Sequence, residues 1–169
     1  MVPISLLTII IEIKIESLIH GGQQENNLRA GTENIPLIVG MATALKEHID
    51  NLPKEIDYIS DLKAYMLRKL NEKSFDYIIN GSHNSVPGIL SISFKDIEGE
   101  SILYRMDLKE ICISTGSACD SKNTQLSHVL KAINCNNEYA YGTIRISLSE
   151  KNTTDEIDTF IEVLSKIIN

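Results

Sequence analysis

Near the start of the chain, Ile11, Ile13 and Ile15 alternate with Glu12, Lys14 and Glu16, a period of two that predicts a strand with one buried face. The following His20-Gly21-Gly22-Gln23-Gln24-Glu25-Asn26-Asn27 has no apolar period and two adjacent glycines, so it reads as a loop. At Asn34 the period changes. Asn34 can cap a helix, Pro36 falls in its first turn, and Ile38, Met41, Leu45, Ile49 and Leu52 recur at three- and four-residue spacing. Pro53 restarts the pattern, with Ile56, Ile59, Leu62, Met66 and Leu70 on one stripe, and this predicts a second helix directly after the first.

Shorter pieces follow. Phe75 to Ile79 reads as a strand, and after a Pro87-Gly88 turn Leu90, Ile92 and Phe94 alternate with Ser91 and Ser93 in another. Ser101 to Leu108 predicts a short helix, Ile111 to Ser114 a strand, and Ser127 caps a brief helix ending near Asn134. From Thr143 to Leu148, Ile144, Ile146 and Leu148 face a core while Arg145 faces the other way. Thr153 with Glu156 forms a capping box ahead of Ile157, Phe160, Ile161, Leu164 and Ile167. Without repeats or a sustained strand-helix-strand rhythm, the expected class is α+β, a small sheet covered by helices on one face. The part before Asn34 reads as attached to something else, because one strand and a polar loop do not make a domain.

Composition narrows the classes. The 169 residues carry a formal net charge of -7 and no run of Lys or Arg, which argues against a nucleic-acid platform. With 43% hydrophobic residues and no Trp, the core should be aliphatic. The run Leu6 to Ile11 is too short to span a bilayer, and nothing resembles a secretory leader. Three cysteines form no regular framework, so reduced thiols and a cytoplasmic location are expected. In that compartment the sequons at Asn80 and Asn152 have no role.

Cys112, between Ile111 and Ile113, reads as a small buried hydrophobe, and Cys135 as structural. Cys119 differs. Its neighbours in Ser114-Thr115-Gly116-Ser117-Ala118-Cys119-Asp120-Ser121 offer no bulk to bury it, which predicts an exposed thiol on a moving loop, useful where a thiolate must reach a substrate and then carry a product away. A metal site from Cys112, Cys119, His128 and Cys135 lacks the close cysteine pair of a structural zinc site, so no intrinsic metal is expected. His128 reads as a local hydrogen-bonding or capping residue, while His48 and His83 carry no signal. Arg145 offers a bidentate grip for a carboxylate, with a surface salt bridge as the equal alternative.

Taken in order, Gly21 to Asn34 (GGQQENNLRAGTEN), Asn80 to Phe94 (NGSHNSVPGILSISF), Ser114 to Ser121 (STGSACDS), Ser127 to Asn134 (SHVLKAIN), Gly142 to Ser149 (GTIRISLS) and Asn152 to Asp158 (NTTDEID) resemble the cysteine desulfurases. These are pyridoxal-phosphate enzymes of the class V aminotransferase superfamily. The resemblance implies conversion of L-cysteine to L-alanine, with Cys119 as the loop cysteine that takes the sulfur as a persulfide. It makes Arg145 the residue that grips the substrate carboxylate, and Thr32 the threonine that reaches the cofactor phosphate of the partner subunit in a dimer. It also implies a sulfur acceptor, either an iron–sulfur scaffold protein, with which Cys119 could transiently share a cluster, or a tRNA-thiolating enzyme. Neither nucleic acid nor a membrane is an expected direct partner.

The chain departs from the family pattern at Gln23, at Asn26-Asn27 and at Gln125-Leu126. The family's Schiff-base lysine, with its pyridinium-pairing aspartate and ring-stacking histidine, belongs to a large domain upstream. Lys14 alternates within a strand and lacks the histidine that precedes that lysine. The resemblance therefore implies a fragment of a fold-type I enzyme, with residues 1–33 a tail of the large domain and residues 34–169 the small C-terminal domain with its linking helix. Such a fragment is expected to be inactive without a complementary large-domain fragment. A non-catalytic sulfur carrier and a decayed remnant are the alternatives.

Overall fold

The computed structural model describes residues 16–82, 85–115 and 126–168. The strand expected over Ile11 to Ile15 lies outside them, as do His83 and Cys119. The chain divides into two compact units, residues 1–50 and 51–169.

In the first unit, Gln24–Asn27 forms a 3-10 turn containing three consecutive left-handed residues, Glu25, Asn26 and Asn27, with φ of 49°, 55° and 65°. Asparagine tolerates this region better than most side chains because its short amide bonds locally. The long helix α1 (Ile35–Asn71) begins beyond this loop, with the Asn34 side chain accepting a hydrogen bond from the Leu37 amide at 3.2 Å. The two helices expected from the Pro53 break are one, with Pro53 inside it. A proline there removes one backbone donor and crowds the carbonyl four residues back, but the apolar stripe continues across it in phase, from Ile49 to Ile56. Along the first half of α1 that stripe is exposed, from Leu37 and Met41 to Leu45 and Ile49.

The second unit holds a four-stranded antiparallel sheet in the order β1-β2-β4-β3, built from β1 (Tyr77–Asn80), β2 (Ile89–Phe94), β3 (Ser114–Thr115) and β4 (Thr143–Ser147). Leu90, Ile92 and Phe94 on β2 and Ile144 and Ile146 on β4 form the apolar face. Against it pack Leu62, Met66 and Leu70 from the second half of α1, and Ile102 and Met106 from α2 (Gly99–Asp107). Ile157, Phe160, Ile161 and Leu164 of α5 (Thr154–Ile168) complete the core. The sheet covered by helices is therefore observed as expected, and burying each of these large side chains contributes about 1.5–3 kcal/mol.

Local signals explain the boundaries. The capping box forms, with the Glu156 amide donating to Thr153 Oγ1 at 3.3 Å and the Thr153 amide to Glu156 Oε2 at 2.9 Å. The expected strand from Ile111 shrinks to Ser114–Thr115 because the Ile111 amide donates to the Met106 carbonyl, closing the end of α2 with Glu110 left-handed at φ 60°. Asn134, at φ 54°, ends α3 (His128–Ala132) in the same way, with the Cys135 amide on the Leu130 carbonyl. A further short helix, α4 (Asn137–Ala140), was not predicted; the Asn136 side chain caps it by accepting from the Glu138 amide.

Cys112 corrects the sequence reading: it is exposed. Ile111 and Ile113 both pack on the core, and the residue between two inward side chains of an extended segment points outward.

Candidate functional site

Strand β4 serves two faces at once. Ile144 and Ile146 are buried, while Arg145 between them is exposed on the opposite side. The register places Arg145 directly across from Ser91 on β2 and from Ser114 on β3, and Ser91 across from Asn80 on β1. One transverse row of the sheet thus reads Asn80, Ser91, Arg145, Ser114, all polar and all on the face opposite α1, α2 and α5. The flanking serines are too short to cover the guanidinium and carry no charge to neutralise it.

The other arginines of the chain are engaged. Arg29 donates to the carbonyls of Gly31 and Thr32 at 2.9 and 3.1 Å, Arg68 stacks over the Tyr65 ring, and Arg105 donates to the Ile167 carbonyl. Among the described residues, Arg145 alone of these four has no hydrogen-bond, ion-pair or ring partner. A planar guanidinium with no partner among the described residues can receive an anion through two parallel hydrogen bonds.

Beside that row runs a buried hydrogen-bond chain. Asn80 Nδ2 donates to Ser91 Oγ at 3.2 Å and to Ser93 Oγ at 2.7 Å. Ser93 and Thr143 hydroxyls meet at 2.6 Å, and the Thr143 hydroxyl donates to the Ala140 carbonyl at 2.8 Å. Since Thr143 spends its proton on Ala140, Ser93 is the donor to Thr143, and the chain runs in one direction. Tyr139 donates to Asp76 at 2.7 Å and Lys95 pairs with Glu138 at 3.3 Å, fastening α4 to the β1–β2 hairpin. The Asp76 bond raises the Tyr139 pKa, and the Glu138 bond raises that of Lys95.

Ser114 and Thr115 lead directly into the segment that holds Cys119, itself outside the described residues. Cys119 follows Ser114 by five positions in the chain. Thr32 lies in the first unit, exposed, in a turn closed by Arg29 on its carbonyl and by the Gln24 side chain accepting from the Gly31 amide at 3.2 Å. Cys135 is half-buried, 3.9 Å from Ser93 Oγ, and His128 is the first residue of α3. Among the described residues no three His, Cys, Asp or Glu side chains gather as a metal requires, and no helix is long and apolar enough to cross a membrane.

The Aminotransferase class-V family model matches residues 6–160. The chain belongs to that family. It is 44% identical over 156 residues to a cysteine desulfurase IscS from Dictyoglomus turgidum, a match covering 92% of this chain and 40% of the relative. A cysteine desulfurase IscS from Pectobacterium atrosepticum is 37% identical, with 92% and 38% covered. Among solved structures, a NifS-like protein superimposes with a TM-score of 0.79 at 33% identity over 92% of this chain and 39% of that one. A NifS-like protein from Rickettsia africae gives 0.79 at 31% identity, with 92% and 41% covered. The chain therefore spans about two-fifths of the length of the curated relatives it matches. The α+β architecture expected from the sequence, and the resemblance to cysteine desulfurases, both stand on these matches.

The neighbours of Arg145 are what the sequence did not single out. Ser91 is visible as part of the polar half of an alternating strand, whereas Asn80 falls one residue past the strand expected over Phe75 to Ile79 and ends the observed β1, and their alignment on Arg145 depends on which strands pair.

Proposed function

We propose that this chain is the sulfur-accepting C-terminal part of a cysteine desulfurase. Arg145 binds the carboxylate of L-cysteine, and Cys119 takes its sulfur. The observation that carries the reading is the pairing of Arg145, a cation without a partner among the described residues, with Ser114, the strand residue five positions ahead of Cys119. Carboxylate site and thiol are thereby tethered to the same sheet.

The Cys119 thiolate attacks the substrate sulfur, the S–S bond forms as the C–S bond breaks, and the carbon keeps the electron pair and leaves, protonated, as L-alanine. Holding the substrate carboxylate at Arg145 while the thiolate approaches to about 3–3.5 Å converts an encounter between two solutes into a positioned reaction. Pyridoxal phosphate supplies, when bound, the electron withdrawal that makes the C–S bond breakable. This chain's contribution to holding it is the exposed Thr32 hydroxyl, offered to the cofactor phosphate across a dimer. Arg29 commits its Nη1 to the backbone of that same turn. One hydroxyl is too few for a phosphate, so the remaining donors and the lysine that carries the cofactor come from a large domain, to which residues 1–33 belong, with residues 34–169 forming the small domain. The exposed apolar stripe on the first half of α1 suits such a complementary polypeptide. The persulfide passes by thiol exchange to an acceptor, an iron–sulfur scaffold or a tRNA-thiolating enzyme, in the cytoplasm.

Mixing the purified chain with a large-domain polypeptide, pyridoxal phosphate and L-cysteine tests this. Mass spectrometry is expected to find one added sulfur on Cys119, lost in Cys119→Ser, with alanine released only in the mixture. Alanine from the isolated chain would overturn the need for a second polypeptide, and a persulfide taken directly from another desulfurase would make the chain a sulfur carrier.

A further inference from the structure

Ser91 stands directly opposite Arg145 in the β2–β4 ladder, and side chains so paired on one face have Cβ atoms about 4.5–5.5 Å apart. Its hydroxyl already accepts a hydrogen bond from Asn80 Nδ2 at 3.2 Å. An accepting hydroxyl still has its own proton to place. Toward β4 its cross-strand neighbour is Arg145, whose guanidinium has five donors and no acceptor and cannot receive that proton.

We propose that Ser91 is a second ligand-contacting residue of the Arg145 site, its hydroxyl donating to the same carboxylate that the guanidinium grips. The inference rests on the reading of Arg145 as a carboxylate-binding residue. The ligand class is a small organic acid, held by a charged fork on one side and a neutral donor on the other.

Asn80 is then a positioning residue. One carboxamide holds both Ser91 and Ser93, at 3.2 and 2.7 Å. Through Ser93 and Thr143 the carboxamide is anchored to the Ala140 carbonyl inside the fold. The Ser91 rotor is therefore set from below, and an acceptor arriving at Arg145 meets a hydroxyl already oriented. The same arrangement disfavours a cationic ligand, since the Arg145 guanidinium would repel it.

Titrating the full-length, nitrogen-15-labelled chain with propionate, and separately with uncharged propionamide, tests both layers. The Arg145 Nε–H resonance should shift saturably with propionate and not with propionamide. Ser91→Ala should weaken propionate binding roughly 10-fold, the usual scale for one hydrogen bond to a charged group. Ser91→Thr, which keeps the hydroxyl, should bind within about 3-fold of the native chain. Ser91→Cys, close in volume but a poor donor, serves where the alanine variant folds badly and should be weakened comparably. Unchanged binding in Ser91→Ala or Ser91→Cys, with Arg145 still responding, overturns the role of Ser91 alone. An Arg145 resonance that ignores propionate in the native chain overturns the carboxylate reading and the Ser91 role with it.

Discussion

The Tyr65 hydroxyl lies 3.0 and 2.9 Å from the two carboxylate oxygens of Asp158, joining α1 to α5 across 93 positions of sequence. Lys69 reaches the same carboxylate at 3.0 Å, one turn along α1 from Tyr65. Phe160, Ile161 and Leu164 follow Asp158 into the core, so this polar clasp sits at the rim of the buried cluster.

The clasp makes stability depend on pH in one direction. The Lys69 hydrogen bond, followed by that from Tyr65, holds the Asp158 pKa below its ordinary value. A depressed carboxylate contributes stability above its unfolded pKa, near 4, and that contribution disappears as pH falls through the lower folded value. Asp158→Asn should therefore melt below the native chain at pH 7, with the two melting curves converging in acid. Thermal unfolding by circular dichroism at several pH values checks this, and a constant gap down to strongly acidic pH would contradict it.

Gly142 permits a close backbone approach. A Cβ there would run into the carbonyl oxygens of Phe94 and Ile97, both main-chain atoms that cannot swing aside, and the Gly142 carbonyl itself accepts from the Phe94 amide. Gly142→Ala should destabilise by about 1–3 kcal/mol or more, as overpacking does. A urea midpoint equal to that of the native chain would show that the β2–β4 approach is looser than described.

Ser93 is fully buried and joins Asn80 to Thr143. Ser93→Ala leaves the Asn80 donor without one of its acceptors, at a cost of about 1–3 kcal/mol. Adding Thr143→Val should cost less than the sum of the two single changes, because the second removes a group the first had already stranded. Chemical denaturation of the four members of the cycle measures it, and strict additivity would mean that the chain does not act as a unit.

In the mixture with a large-domain polypeptide, Arg145→Lys should retain charge but lose the bidentate fork. Loss of one charged hydrogen bond predicts a fall of about 10- to 100-fold in kcat/KM for L-cysteine. Because a carboxylate grip acts on bound substrate, KM should rise more than kcat falls. Steady-state alanine release gives both constants.

Much of this was legible from residue order because it is local. The alternation in β4 put Arg145 on the polar face, the Thr153–Glu156 pair marked the start of α5, and the stripe from Leu62 to Leu70 marked a buried helix face. Pro53 misled because a proline's local penalty was weighed without the in-phase apolar stripe on either side. Cys112 misled because its neighbours were read as its surroundings, when in an extended segment they mark the other face. The row joining Asn80, Ser91, Arg145 and Ser114 is set by pairing between segments far apart in the chain, and no local period carries that information.

Strand β4 has one further consequence, for genetics. Since every second residue from Thr143 to Ser147 turns to the opposite face, two selections applied to the same five codons should give out-of-step profiles. Abundance in cells should dip at Ile144 and Ile146, whereas sulfur transfer measured per molecule should dip at Arg145. A mutational scan would then separate architecture from chemistry at single-residue resolution within one short strand.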